Sequence, residues 1–281
     1  MHTCLNDEAL CAMLDEDVPY GDLTTRSMGI GAQSAQMVMC ARHAMRVCGS
    51  EEAARLVELA GGKVMSFVAS GTQVAEGTEL LRVQGSVESL HLAWKTAQTL
   101  MEYLSGIASC AAGMLQAVRD AGFDLPLACT RKNFPGNRKL AVKAITAGGA
   151  VSHRLGLSET LLVFPDHRVF VDNAELPELF ARIRKQAPEK KLVAEVGSLE
   201  DALWLARCGA HVLQLERFSP AALSECRAAL NAHNLSALLA PAGGVTLENA
   251  VAYARAGADF LVSSAPYFAP PRDVKVIFSR L

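Results

Sequence analysis

Residues 129–157 read CTRKNFPGNRKLAVKAITAGGAVSHRLGL, and their reading decides the rest of the chain. Arg131 and Lys132 stand at the end of an apolar run, 125–129. A Pro135-Gly136 turn follows, then a helical pattern over about 137–147, a Gly148-Gly149 break, and His153 beside Arg154. A helix of that length brings the chain back near its starting point, so the two basic pairs can face one pocket. Arg138, Lys139 and Lys143 read as the charged outer face of that helix.

The same alternation continues outward. Apolar runs at 125–130, 160–164, 192–196, 212–216, 237–240 and 260–263 alternate with helical patterns. The helices fall at about 137–147, 175–186, 199–208, 219–231 and 246–256. No two strands are joined by a hairpin turn, which predicts a parallel sheet, and this many units predicts closure into a barrel. Asp172 or Asn173, Ser198, Ser219 and Thr246 stand at helix entrances as candidate caps.

In such a barrel the chemistry sits at the C-terminal ends of the strands. Those ends carry Arg131 and Lys132, Phe164 to Asp166, Glu195, Glu216, Gly243 and Gly244, and Ser263 and Ser264. Carboxylates there are costly unless paired, or bound to a cation or to hydroxyls. Glu195 and Glu216 therefore suit Mg²⁺ or ribose hydroxyls, or else ion pairs with the rim arginines. The Gly243-Gly244 turn enters a helix and can offer backbone N–H groups to a phosphate. The whole rim suits a small anion bearing carboxylate and phosphate groups.

The first hundred residues read differently. Asn6 or Asp7 can cap a helix ending near Asp15, and 16–25 (EDVPYGDLTT) reads as a loop. A strand at 35–40, a helix at 50–60 and short strands between 63 and 85 follow. A strong helix spans 89–104, with Lys95 among apolar neighbours; Ser105 to Ser109 reads as its break, and a second helix runs to about Ala121. This places a domain boundary near Gly106: residues 1–106, then 107–269, with the apolar tail 270–281 returning to the first domain.

Bulk properties exclude several classes. The 281 residues are 51% hydrophobic and 20% charged with net charge −2, so a large core is expected and nothing global attracts nucleic acid. Eight cysteines show no CxxC pair or zinc spacing, which points to a reducing compartment. The N-terminal MHTCLNDEALCAM lacks the pattern of a secretory signal, and no apolar run is long enough to span a bilayer. A cytoplasmic protein is expected.

Several stretches resemble the quinolinate phosphoribosyltransferase (carboxylating nicotinate-nucleotide pyrophosphorylase) family. EDVPYGDLTT, LSGIAS, TRKNFPG, HRLGL, AEVGSLEDA, LQLERF and PAGGVTLENAVAYARAGADFLVSS occur in that family's order and cover nearly the whole chain. The TRKNFPG, HRLGLSET and LLVF pattern is most similar to the ModD-type members, pyrophosphorylases associated with molybdate transport systems. The resemblance implies an N-terminal α/β sandwich followed by an incomplete α/β barrel of six or seven strands. It also implies a homodimer or higher oligomer in which one subunit's N-terminal domain closes the other's site.

Carried onto this sequence, the resemblance makes Arg131, His153 and Arg154 the cluster that holds a pyridine dicarboxylate. Lys132 lies near phosphoribosyl diphosphate, Glu195 near the ribose and Mg²⁺, and Gly243 and Gly244 in the phosphate loop. Lys95 takes the place of an arginine lent across the dimer. Lys132, Glu195 and Glu216 are thus the catalytic candidates, and no covalent nucleophile is implied.

Departures from the family pattern gather at the rim. Phe164 stands where the family has a substrate-facing lysine, and Glu216 replaces an aspartate. Gly197 replaces an acidic residue, Ala240 and Ala242 replace a glutamate and a serine, and Ser264 and Phe268 replace a glycine and a histidine. The expected activity is transfer of a phosphoribosyl group to a small acid or heterocycle, with pyrophosphate released. An authentic quinolinate enzyme and a non-catalytic anion binder on the same fold are the alternatives.

Overall fold

In the computed structural model, which describes residues 3–281, the Asn6 side chain accepts the Ala9 N–H and starts α1 (Asp7–Asp17). Met1 and His2, which begin the acidic N-terminal segment, lie outside the described residues. The first half continues with α2 (Leu23–Met28), β1 (Ser34–Ala41), β2 (Met45–Arg46), α3 (Ser50–Leu59), β3 (Lys63–Phe67), β4 (Gln73–Val74), β5 (Glu79–Ser86) and α4 (Val87–Asp120). Next come β6 (Leu127–Cys129), α5 (Arg138–Ala147), β7 (Val151–Ser152), β8 (Leu161–Val163), α6 (Pro165–Arg168), α7 (Leu176–Gln186), β9 (Leu192–Val196) and α8 (Leu199–Arg207). The chain closes with β10 (Val212–Glu216), α9 (Pro220–Ala232), β11 (Leu238–Ala242), α10 (Ala250–Arg255), β12 (Leu261–Ser263) and β13 (Val274–Arg280).

Two compact units result. One holds the chain up to Ala112 together with Asn133–Gly149 and Pro266–Leu281; the other holds Gly113–Lys132 and Ala150–Ala265. This grouping differs from a single cut at Gly106, because α5 belongs to the first unit and the division falls inside α4.

The first unit is an antiparallel sheet, β13-β1-β5-β3, packed on helices. Strand alternation puts Ala35, Met37, Met39 and Ala41 of β1 inward, against Leu56 and Val57 of α3 and Leu90, Ala93, Ala97 and Met101 of α4. The tail returns as β13, antiparallel to β1 from Ala41↔Val274 to Ala35↔Arg280.

Three expectations fail in this unit for local reasons. The 16–25 loop hides α2, which starts where Asp22 accepts the Thr24 N–H. SGIAS does not break the helix: α4 is continuous over 34 residues. Its small residues serve packing instead. Ser105 Oγ accepts the Cys48 N–H at 3.0 Å, Ser109 Oγ accepts the Arg46 N–H at 2.9 Å, and a Cβ on Gly106 would collide with the Pro270 backbone. Lys143, read as a surface charge, is only 14% exposed and bonds both Glu51 and Glu52.

The second unit carries the parallel strands. They form two ladders, β12-β6-β7 and β11-β10-β9-β8. The Asp259 N–H donates to Leu239 O at 2.9 Å and the Asp259 carboxylate accepts the Leu239 N–H at 2.6 Å, joining the start of β12 to β11. Ala128, Leu162, Val193, Val212, Ala240 and Val262, one from each of six strands, meet in one interior cluster. That is the interior expected of an α/β barrel, and it is incomplete: among the described residues no ladder joins β7 to β8. Ser198 and Ser219 cap α8 and α9 as predicted, accepting the Asp201 and Ala222 N–H groups. Thr246 and Asp172 do not cap by side chain; α10 starts later, at Ala250, and a short 3₁₀ turn, Asn173–Glu175, precedes α7. Strand β7 was not predicted, since two residues with Val151 exposed make no apolar run.

Candidate active site

Parallel pairing of β6 with β7, Cys129 opposite Ser152, puts the residues after each strand side by side. The His153 N–H donates to Cys129 O at 2.8 Å and fixes that register. Arg131 and Arg154 consequently line one cavity, together with Phe164 at the end of β8. The cavity is lined along β8, the edge strand that no ladder joins to β7 among the described residues.

Arg154 is 9% exposed, yet no carboxylate or other hydrogen-bond acceptor meets its guanidinium among the described residues. Its one aromatic neighbour is Phe164, whose ring centroid lies 5.6 Å from Cζ. Burial and then the charge of Arg131 push the Arg154 pKa down, but a guanidinium stays protonated. A cation lining a cavity with no counter-ion among the described residues is costly to hold there, so the site suits an anion that arrives later. Burial, followed by Arg154, also lowers the His153 pKa, which makes neutral imidazole the form at pH 7.

The carboxylates stand at the ends of β9 and β10. Glu195 sits one residue before the end of β9's ladder with β10 and accepts a hydrogen bond from Gln214 Nε2 at 2.7 Å. Burial raises its pKa first, then the charge of Glu216, with Asp166 adding to the rise; Gln214 and Lys132 work the other way. Those four groups are therefore its electrostatic neighbours, and Lys132, itself exposed, stands within reach of Glu195. Glu216 has Arg217 at 3.7 Å, a pair largely in solvent that adds little stability.

The glycine loop is shaped around Glu216. Gly243 has φ +75°, and a Cβ there would overlap the Glu216 carboxylate. Gly244 has φ +104° with open space beside it. Gly244→Ala is expected to cost the backbone strain alone, about 1–3 kcal/mol. Gly243→Ala should lose more, because Glu216 must also move; thermal melts of the two variants compare the two terms directly.

Two further expected site residues have other surroundings described. Lys95 belongs to the other unit, where it is exposed, pairs with no carboxylate among the described residues, and donates to Gln98 Oε1 at 3.2 Å beside the Trp94 ring. Ser264 has no described hydrogen bond; Ser263 makes them instead, donating to Val245 O at 2.6 Å and accepting the Ala265 N–H. Ser263 thus ties the end of β12 to the glycine loop. Sequence reasoning missed three further groups. Gln214 points the same way as Glu216 by strand alternation, a signal that was available. Arg168 makes a bidentate pair with Asp201 at 2.6 and 2.8 Å and donates to Glu195 O, holding the end of β9. Asp166 follows β8 in the rim segment already singled out, and only its charge on Glu195 distinguishes it.

The sequence also matches known proteins. The profile of the quinolinate phosphoribosyl transferase C-terminal domain matches residues 107–276, and that of the N-terminal domain matches residues 22–105. The chain belongs to the quinolinate phosphoribosyl transferase family. It is 44% identical to the "Putative pyrophosphorylase ModD" of Rhodobacter capsulatus, over 91% of this chain and 98% of that one. The protein of the same name from Escherichia coli O6:H1 is 36% identical over 97% and 96% of the two chains. The nicotinate-nucleotide pyrophosphorylase (carboxylating) of Mycobacterium leprae is more distant, at 31% over 90% and 89%. The crystal structure of NadC from Streptococcus pyogenes superposes over all of both chains with a TM-score of 0.87 at 25% identity. The ModD proteins are thus nearer in sequence than this nicotinate-nucleotide pyrophosphorylase, as the rim departures suggested.

Proposed function

We propose that this family member transfers a phosphoribosyl group from phosphoribosyl diphosphate to a small anionic acceptor other than quinolinate, releasing pyrophosphate. The observation that carries the reading is Arg154: a guanidinium that lines the cavity beside Arg131 with no acidic partner among the described residues. In this reading Arg131, Arg154 and neutral His153 hold the acceptor carboxylate. A lone pair on the acceptor forms the bond to ribose C1 as the C1–O bond to pyrophosphate breaks, and that electron pair leaves on the pyrophosphate oxygen. A ring nitrogen without hydrogen needs no base, so positioning and charge stabilisation suffice. Lys132 and the Gly243-Gly244 loop face the diphosphate, and Ser264 is a further candidate contact.

No group of three or more metal-ligating side chains gathers among the described residues. The fit proposed is therefore for a Mg²⁺ carried in by the diphosphate, with Glu195 and Glu216 as its protein contacts. When bound, such an ion offsets diphosphate charge. We further propose a homodimer in which Lys95 of the partner subunit enters this site; a monomer at micromolar concentration by light scattering would remove that part. The cytoplasmic setting belongs to the same proposal: no disulfide joins the cysteines, and no helix among the described residues is long and apolar enough to cross a membrane.

The test is pyrophosphate release. The protein is incubated with phosphoribosyl diphosphate, Mg²⁺ and a panel of small acids. Release with an acid other than quinolinate, abolished in Arg131→Ala, is the expected result. Quinolinate as the best acceptor would favour the authentic enzyme, and no release with any acid a non-catalytic binder. Phe164 separates the first two. Phe164→Lys should restore a charge-assisted contact worth about 1.5–3 kcal/mol and raise quinolinate turnover about 10- to 100-fold.

A further inference from the structure

The cavity that holds Arg131 and Arg154 continues past them. Its volume is about 560 Å³, and beyond the two guanidiniums it runs along β8 under α7. There the walls are Val163, Val171, Leu179 and Ile183, with Leu157 at the mouth. No carboxylate lines it, and the charge of the other cationic wall group, Arg168, is already paired with Asp201, although its Nε has no hydrogen-bond partner among the described residues. Its fixed uncompensated charge therefore comes from Arg131 and Arg154, both at one end. Thr160 also lines it, and its Oγ1 is buried without a hydrogen-bond partner among the described residues.

These features constrain the occupant. A cavity of this size accommodates more than one ring. One carboxylate can accept from both guanidiniums. A second carboxylate on the same molecule would leave both guanidiniums for mainly aliphatic walls, where the unpaired donors are the Thr160 hydroxyl and the Arg168 Nε. An apolar body instead gains from leaving water along β8 and α7. The unpartnered Thr160 hydroxyl favours one hydrogen-bonding group on that body.

We infer that the acceptor is an amphipathic carboxylic acid: its single carboxylate sits between Arg131 and Arg154, and its apolar, ring-sized body fills the space between β8 and α7. The inference rests on the transferase reading for the word acceptor, but the binding preference stands on the cavity alone.

Calorimetric titration of the full chain with three probes tests it: a pyridine monocarboxylate, a quinoline monocarboxylate and a pyridine dicarboxylate. The quinoline acid should bind about 10-fold tighter than either single-ring acid, or better. Leu179→Trp and Ile183→Phe fill the cavity away from the guanidiniums. Each should erase that gain and leave the pyridine monocarboxylate affinity unchanged; two variants guard against one failing to fold. A dicarboxylate that binds as tightly as the quinoline acid, or a gain that survives both variants, overturns the inference. Pyrophosphate release in parallel keeps the two claims apart. The expected binding order with no release from any acid overturns the transferase reading and supports the cavity assignment. Release with the dicarboxylate as the best substrate does the reverse.

Discussion

Arg154→Met is expected to make the protein more stable and nearly inactive. The residue is 9% exposed, its guanidinium lines the cavity without an acidic partner among the described residues, and it lies beside a second cation, Arg131. A methionine keeps the apolar stem in contact with Phe164 and removes the charge. Relief of that desolvation should add about 1–3 kcal/mol to unfolding stability. For a chain of this size the melting temperature then rises about 2–4 °C per kcal/mol. Loss of a buried charge contact to substrate should cost about 3–5 kcal/mol, or 100-fold and more in kcat/KM. Melting curves and pyrophosphate release on one preparation read both terms. A less stable Arg154→Met protein would mean that the guanidinium serves the fold and would remove the main argument for an anion site.

The opposite behaviour is expected at Lys143. Its Nζ lies 2.8 Å from Glu51 Oε2 and 2.6 Å from Glu52 Oε2, and Glu52 is fully buried. Lys143→Ala leaves two carboxylates inside the first unit with the Cys4, Ser50 and Ser70 donors and no cation, and should cost about 3–5 kcal/mol. Burial works against the charge on Glu51, but hydrogen bonds from Lys143 and Ser70 outweigh it and hold the carboxyl below its ordinary 4.5. Burial likewise opposes charge on Lys143, and its bonds to Glu51 and Glu52 outweigh that, raising it above 10.5. A depressed acid stabilises the fold above its unfolded value and loses that contribution as pH falls through the folded one. A raised lysine stabilises below its unfolded value and loses it as pH rises through the folded one. The gap between wild type and Lys143→Ala in urea melts should therefore be widest between 4.5 and 10.5 and shrink outside that window. A gap that does not change with pH would show that lost packing, not charge, sets the cost. Because α5 carries the chain from Lys132 to the start of β7, loosening it should also lower activity.

The comparison of these two residues shows what the sequence could convey. Arg154 was legible, since a basic pair recurring one helix after another at the ends of apolar runs is a local pattern. Lys143 was misread because its partners lie 92 and 91 positions away, and helical spacing carries no trace of them. The later strands were found within a residue or two because burial on both faces makes them continuous apolar runs, as at β9 and β10. The exposed two-residue β7 has no such signature, although it sets the register that joins Arg131 to Arg154. Ser105, Gly106 and Ser109 misled for a related reason. Their small size reads locally as a helix break, while its use is tertiary, against Cys48, Arg46 and Pro270. At the rim, Ser263 was passed over for Ser264 because strand phase at a three-residue strand is hard to read without its neighbours.

The central claim is that Arg131 and Arg154 hold the acceptor's carboxylate in one cavity. A crystal structure of the protein with phosphoribosyl diphosphate and an aromatic carboxylic acid tests it most directly. The account predicts the carboxylate within hydrogen-bonding distance of both guanidiniums, with the ring directed along β8. An acid bound elsewhere, with both guanidiniums left facing water, would contradict it.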